Sequence, residues 1–137
     1  MNILSLKKYC KRNKKKGFTL IELIAVIGII AILATVLLPK VSGYIKEAKK
    51  TKIIDQCRKV VMAVESYDLR NECVYDRDKT VSKAKKERGI EKYLKDVSLN
   101  NLNIDKTTIG DCYKVLNGKE FDFEENTEIL DVSNIEE

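Results

Sequence analysis

Hydrophobic and polar positions divide the chain into three stretches. Residues 1–17 are polar and basic. Phe18 to Leu38 then reads FTLIELIAVIGIIAILATVLL, 21 residues broken by one charge, Glu22. At about 1.5 Å of rise per residue a helix of this length reaches about 31 Å, the hydrocarbon thickness of a bilayer. Soluble cores rarely use so long a run without a polar interruption, so the segment predicts a membrane-resident helix. From Tyr44 to about Arg70 apolar residues recur at helical spacing: Tyr44, Ile45, Ala48, Ile53, Cys57, Val60, Val61, Val64, Tyr67. Lys46, Lys49, Lys50, Asp55, Lys59 and Glu65 fill the opposite face, the pattern of an amphipathic helix over 44–70. The two segments read as one continuous helix. Pro39 lacks an N–H donor and clashes with the preceding turn, so it is expected either to break or loosen that helix or to mark its exit from the membrane.

The remaining residues must cover the amphipathic face. Residues 71–78 are polar and loop-like. Thr80–Asp96 suits a short helix carrying Val81, Ala84, Ile90 and Leu94 on one side, with Gly89 as its weak point. Residues 104–132 are expected to form a small antiparallel sheet of about three strands. Its hairpin would turn at Asn117-Gly118, between Cys112–Leu116 and Glu120–Phe123, and Glu128–Val132 would supply the third strand. The fold class is therefore α+β: a long N-terminal helix packed on a small sheet head, 44–137. With six Gly and one Pro in 137 residues, the chain does not have a disordered composition.

Charge changes the picture at both ends. The formal net charge is +5, but residues 1–17 alone carry Lys7, Lys8, Lys11, Arg12, Lys14, Lys15 and Lys16 and no acid. The rest holds 19 Lys and Arg against 21 Asp and Glu, so basicity belongs to a leader and does not by itself imply nucleic-acid binding. An ordinary secretory signal would have an apolar region of roughly 7–15 residues followed by a small-residue cleavage site. Here the run is longer, and Pro39-Lys40-Val41-Ser42-Gly43 offers only a poor site. A simple signal anchor is the other reading. The positive leader places the N-terminus in the cytoplasm, although Lys40, Lys46, Lys49, Lys50 and Lys52 follow the span.

Glu22 is the anomaly. A carboxylate in a membrane span is costly, and it either snorkels to the interface or meets a cation. Cleavage between Gly17 and Phe18 would free an α-amino group about one helical turn away. In a staggered array of parallel helices, a neighbour's amine could take that place.

Lys16-Gly17-Phe18-Thr19-Leu20-Ile21-Glu22 resembles the cleavage and methylation signature of type IV prepilins and pseudopilins. That signature is a short basic leader ending in Gly, then Phe, then Glu at the fifth mature position, then a long apolar helix. Pro39 also stands where many members carry a helix-breaking Pro. The resemblance covers residues 12–43, and the rest agrees only in layout. It implies a pilin-like fold with leader 1–17, membrane and filament-core helix 18–43 and head 44–137. It further implies cleavage after Gly17 by a membrane prepilin peptidase and N-methylation of Phe18. A membrane platform and a cytoplasmic assembly ATPase would then move the subunit from membrane lipid into a filament of its own copies and other pilins. Glu22 would face a neighbour's Phe18 amine there, and the assembled product would lie at the cell surface. A structural pilus subunit is one expectation. A minor pilin binding DNA or a surface, and a pseudopilin of a type II secretion system, are the alternatives.

The head segregates its charge. Lys79–Lys95 holds seven cations against Glu87 and Glu91, and Glu120–Glu137 holds eight acids and no Lys or Arg. A solvated surface, opposite patches meeting between neighbouring subunits, and contact with DNA or an anionic polymer all fit. Only Tyr93 interrupts the basic run, so no base-stacking platform is visible. Of the four cysteines, Cys10 leaves with the leader. Cys73 and Cys112, both near expected turns, form the candidate disulfide, while Cys57 sits on the apolar stripe; pairings through Cys57, or no bond, stay open. There is no His, no phosphate-cradling Gly loop and no zinc-like Cys spacing, so catalytic residues, cofactor and metal are all expected to be absent.

Overall fold

The computed structural model describes residues 17–136, so most of the expected leader, Cys10 included, lies outside the described residues. The chain falls into two compact units, one ending at Lys40 and one beginning at Val41. The first helix, α1 (Leu20–Asn71), contributes to both.

In the first unit α1 is apolar all round. Its first buried residue is Ile53, well inside the second unit. Leu23, Ile24, Ile27, Ile30, Leu33 and Leu37 are all exposed. A helix with no polar face needs a partner beyond its own chain, either lipid or other helices. By length and composition this one can cross a membrane.

In the second unit α1 buries one stripe: Ile53, Gln56, Cys57, Val60, Val61, Ala63 and Val64, spaced three and four apart. Tyr44, Ile45 and Ala48, expected on this stripe, are exposed. The helix ends in a Schellman arrangement. Glu72 takes a left-handed φ of 49°, and the Cys73 N–H donates to the Asp68 carbonyl at 3.3 Å. Asp68 also accepts the Tyr75 N–H on its carboxylate at 2.8 Å, which turns the chain back toward the stripe.

Two short helices follow, α2 (Val81–Lys86) and α3 (Glu91–Leu94). The single helix expected over 80–96 is split at Gly89, whose φ of +112° only Gly adopts cheaply. The expected face survives, since Val81, Ala84, Ile90 and Leu94 are all buried.

The next element corrects the sheet expectation. Residues 109–116, which include the whole of the expected first hairpin strand Cys112–Leu116, form helix α4 (Ile109–Leu116). Thr108 and Asp111 build a capping box: the Thr108 N–H donates to Asp111 Oδ2 at 2.9 Å, and the Asp111 N–H donates to Thr108 Oγ1 at 3.1 Å. Asn117-Gly118 is not a hairpin turn but the stop signal of this helix. Asn117 is its C-cap, and Gly118 has φ +84°. The Gly118 and Lys119 N–H groups donate to the Val115 and Lys114 carbonyls, a second Schellman motif.

Among the described residues the sheet has two strands, not three. Strand β1 (Asp122–Phe123) pairs antiparallel with β2 (Leu130–Asp131), in the register Phe123 opposite Leu130. The reversal occupies 124–129, with the Glu124 N–H donating to the Ile129 carbonyl and Glu128 at a φ of 57°. The α+β layout holds, and the sheet forms a small flap on a mostly helical head.

Candidate processing and assembly site

Gly17, Phe18 and Thr19 precede the helix and are not helical. Phe18 is 90% exposed, and among the described residues nothing lies within 4 Å of where a Gly17 side chain would begin. Among the same residues nothing crowds the Gly17–Phe18 peptide bond.

Glu22 is tied to this junction. Its Oε2 accepts the Thr19 N–H at 2.8 Å, and its own N–H donates to Thr19 Oγ1 at 3.3 Å. The pair is a capping box, each side chain satisfying an N–H that the first helical turn leaves unpaired. The carboxylate also lies at the positive end of the helix dipole. Within the single chain Glu22 thus folds back onto the start of its own helix, one residue from the Phe18 nitrogen. Sequence reasoning treated Glu22 as a charge awaiting a partner and missed this role, although Thr19-x-x-Glu22 before an apolar run is its signature.

Pro39 lies inside α1, and the expected break is not a break in the helix. Proline removes the donor that would meet the Thr35 carbonyl. The turns on either side nevertheless keep helical geometry, and the Thr35 hydroxyl donates to the Ile32 carbonyl at 2.7 Å.

The acidic C-terminal segment finds lysines within its own chain. Lys46 meets Asp122 at 3.5 Å, and Glu128 takes Lys49 at 3.3 Å and Lys52 at 3.9 Å. Lys49 and Lys50 also lie over the rings of Phe123 and Phe121. The Phe123 N–H, and then Lys46, hold the Asp122 carboxyl below the ordinary Asp value. Among the described residues, none of the seven cations of Lys79–Lys95 joins an ion pair. Lys79 and Lys92 lie over the rings of Tyr75 and Tyr93, and Arg70 donates to the Tyr93 hydroxyl at 2.8 Å.

The cysteines differ from the expected pairing. Cys73 is exposed just beyond α1, whereas Cys57 and Cys112 are buried, and all three are free thiols. The thiol neighbour of Cys112 is Cys57, not Cys73. The expectation failed because it put Cys112 on a strand beside a turn, whereas α4 turns it into the core beneath α1.

Comparison with known proteins bears on the same N-terminal segment. Residues 12–38 match the family model for the prokaryotic N-terminal methylation motif. Prepilin peptidase-dependent protein A of Clostridium perfringens is 48% identical over 56 residues, which is 40% of this chain and 39% of that protein. The type IV major pilin protein PilE of Neisseria gonorrhoeae is 38% identical over 88 residues, 64% of this chain and 52% of its own. The type IV wide pilus major component PilA4 of Thermus thermophilus is 46% identical over 56 residues, 41% and 43% of the two chains. The chain spans about half or less of the length of these curated relatives. No solved structure gives a match. The N-terminal segment is prepilin-type: basic residues, a Gly-Phe junction, a Glu in the first helical turn and a long apolar helix in one register.

Proposed function

We propose that the chain is a structural subunit of a type IV pilus or related pseudopilus, made as a membrane precursor and assembled into a helical filament. The observation that carries the reading is Glu22, a carboxylate in the first turn of a helix whose apolar surface is exposed all round, directly after the Gly17–Phe18 bond. Before processing, the cationic leader holds the N-terminus in the cytoplasm and α1 crosses the membrane once. A prepilin peptidase cuts after Gly17 and methylates the Phe18 amine. Methylation keeps the positive charge.

A carboxylate has about four lone-pair sites, and the Thr19 N–H occupies one of them. Glu22 therefore keeps capacity for the Phe18 ammonium of an adjacent subunit. As subunits leave the lipid, the apolar halves of α1 bury one another, and this charge pair sets their stagger in a medium where water and salt screen little. The platform and ATPase that extract the subunit act through this same helix.

The charge and the cap are separable. Glu22→Ala removes both, whereas Glu22→Gln keeps a capping side chain and removes only the charge. Both variants are expected to be inserted and cleaved after Gly17 yet to enter filaments poorly, read as the ratio of membrane-bound to sheared-filament protein. Normal incorporation of Glu22→Gln would reduce Glu22 to a cap. Failure of cleavage would move its role to recognition by the peptidase.

The unpaired basic surface over 79–95 supports a second reading, a minor subunit whose head holds an anionic ligand. Abundance in sheared filaments separates the two: a major subunit dominates, and a minor one is scarce.

A further inference from the structure

Among the described residues, Cys57 and Cys112 are the two buried free thiols. Cys57 projects from α1 and Cys112 from α4, both are fully buried in one apolar cluster, and the two thiols are neighbours there. The helices are also joined at their rims, where the Tyr113 hydroxyl donates to Glu65 at 3.4 Å. The contact with Cys57 together with burial pushes the Cys112 thiol well above its ordinary value. Such thiols are poor nucleophiles in the folded state. Two sulfurs without further ligands also fall short of a tetrahedral metal site.

We propose that Cys57 and Cys112 form a disulfide linking α1 to α4 when the chain folds in the presence of a disulfide oxidant. The oxidant is a low-molecular-weight disulfide or a dithiol–disulfide oxidoreductase. While the core is still open, one cysteine attacks the oxidant and forms a mixed disulfide, releasing the first thiol of the oxidant. The second cysteine then attacks the protein sulfur and releases the other. Two thiols become one S–S bond, and two electrons and two protons pass to the oxidant. Closure of the core selects this pair, because it brings these two sulfurs together and leaves Cys73 outside. The link constrains the open chain and fixes α4 on the amphipathic half of α1.

The test uses the full chain, refolded from denaturant into detergent with a mixture of reduced and oxidised glutathione. The reaction is stopped with acid, free thiols are alkylated, and tryptic peptides are mapped by mass spectrometry. The four cysteines of the full chain fall in separate peptides, Tyr9–Lys11, Ile53–Arg58, Asn71–Arg77 and Thr107–Lys114. The expected product joins the second to the fourth with the loss of two hydrogens, Cys73 stays unlinked to either, and Cys73→Ser leaves the yield unchanged. A parallel sample kept in denaturant should give scrambled pairs. Recovery of Cys57 and Cys112 as alkylated thiols after refolding, or a dominant link through Cys73, would overturn the proposal. The readout does not depend on cleavage at Gly17 or on filaments, so its failure is distinct from failure of the filament reading.

Discussion

Gln56 and Asn101 hold the head together at a single polar junction beneath the apolar stripe, and removing Asn101 tests how much depends on it. Gln56 is 8% exposed on α1. Its Nε2 donates to Asn101 Oδ1 at 3.0 Å, and its Oε1 accepts the Asn101 N–H at 3.0 Å. Asn101 Nδ2 donates to the Glu128 carbonyl at 2.9 Å, and the Asn101 carbonyl accepts the Leu130 N–H at 2.9 Å. One residue thus ties α1 to the 124–129 reversal and to β2. Asn101→Ala keeps both backbone bonds and removes both side-chain bonds. The bond to Glu128 contributes about 1 kcal/mol, and losing the other leaves the Gln56 donor buried and unpaired at a cost of about 1–3 kcal/mol, so the loss is about 2–4 kcal/mol. For a head of this size that is a fall in melting temperature of about 10–20 °C. Near-ultraviolet circular dichroism of the full chain in detergent reads it through Tyr67, Tyr75, Tyr93 and Tyr113, which all lie in the head. Gln56→Ala and the double variant complete a cycle, and a coupling of about 0.5–3 kcal/mol is expected for directly bonded partners. A shift under about 2 °C for Asn101→Ala, or strictly additive single changes, would refute the junction.

Two further outcomes follow from the head. Gly89→Ala combines a φ of +112° with a Cβ only 3.1 Å from the Tyr67 ring, so it should cost about 1–3 kcal/mol in the same melt, and an unchanged melt would mean the α2–α3 corner relaxes freely. Asp122 is held below the ordinary Asp value by the Phe123 N–H and then Lys46, and Asp131 by the Ser133 hydroxyl and N–H. Depressed carboxyl values mean that their stabilisation is present above about pH 4 and disappears as pH falls through the folded values. The melting temperature should therefore drop below about pH 4, and Asp131→Asn should make that drop shallower; an identical acid limb would remove Asp131 from it.

The long helix was legible because two independent patterns ran into each other: an uninterrupted apolar run through Leu38 and a stripe at spacing three and four from Ile53 to Val64. Its expected C-terminal limit, about Arg70, differs from the observed Asn71 by a single residue. The α4 region was misread because Asn-Gly suits two structures that need a left-handed residue, a hairpin turn and a helix C-terminus. Thr108-x-x-Asp111, followed by Ile109, Cys112 and Val115 at helical spacing, argued for the helix and outweighs a two-residue turn signal. The cysteine pairing failed for the same reason, since the face Cys112 presents depends on helix or strand. The charge pattern was visible, but its resolution was not: Glu128 and Asp122 meet lysines 76 to 79 residues earlier in the chain, a contact no local pattern encodes. The junction of Gly17, Phe18 and Glu22 stood out in the sequence because a charge inside an apolar run is costly in a membrane, while the capping box that Glu22 makes with Thr19 was overlooked.

Mass spectrometry of the N-terminus of the mature protein, taken from membranes and from sheared surface material, tests the central claim most directly. The account predicts a chain that begins at Phe18 with one methyl group on its amine, and no such product from Gly17→Ile. An intact leader in surface material, or cleavage only after Gly43, would contradict it.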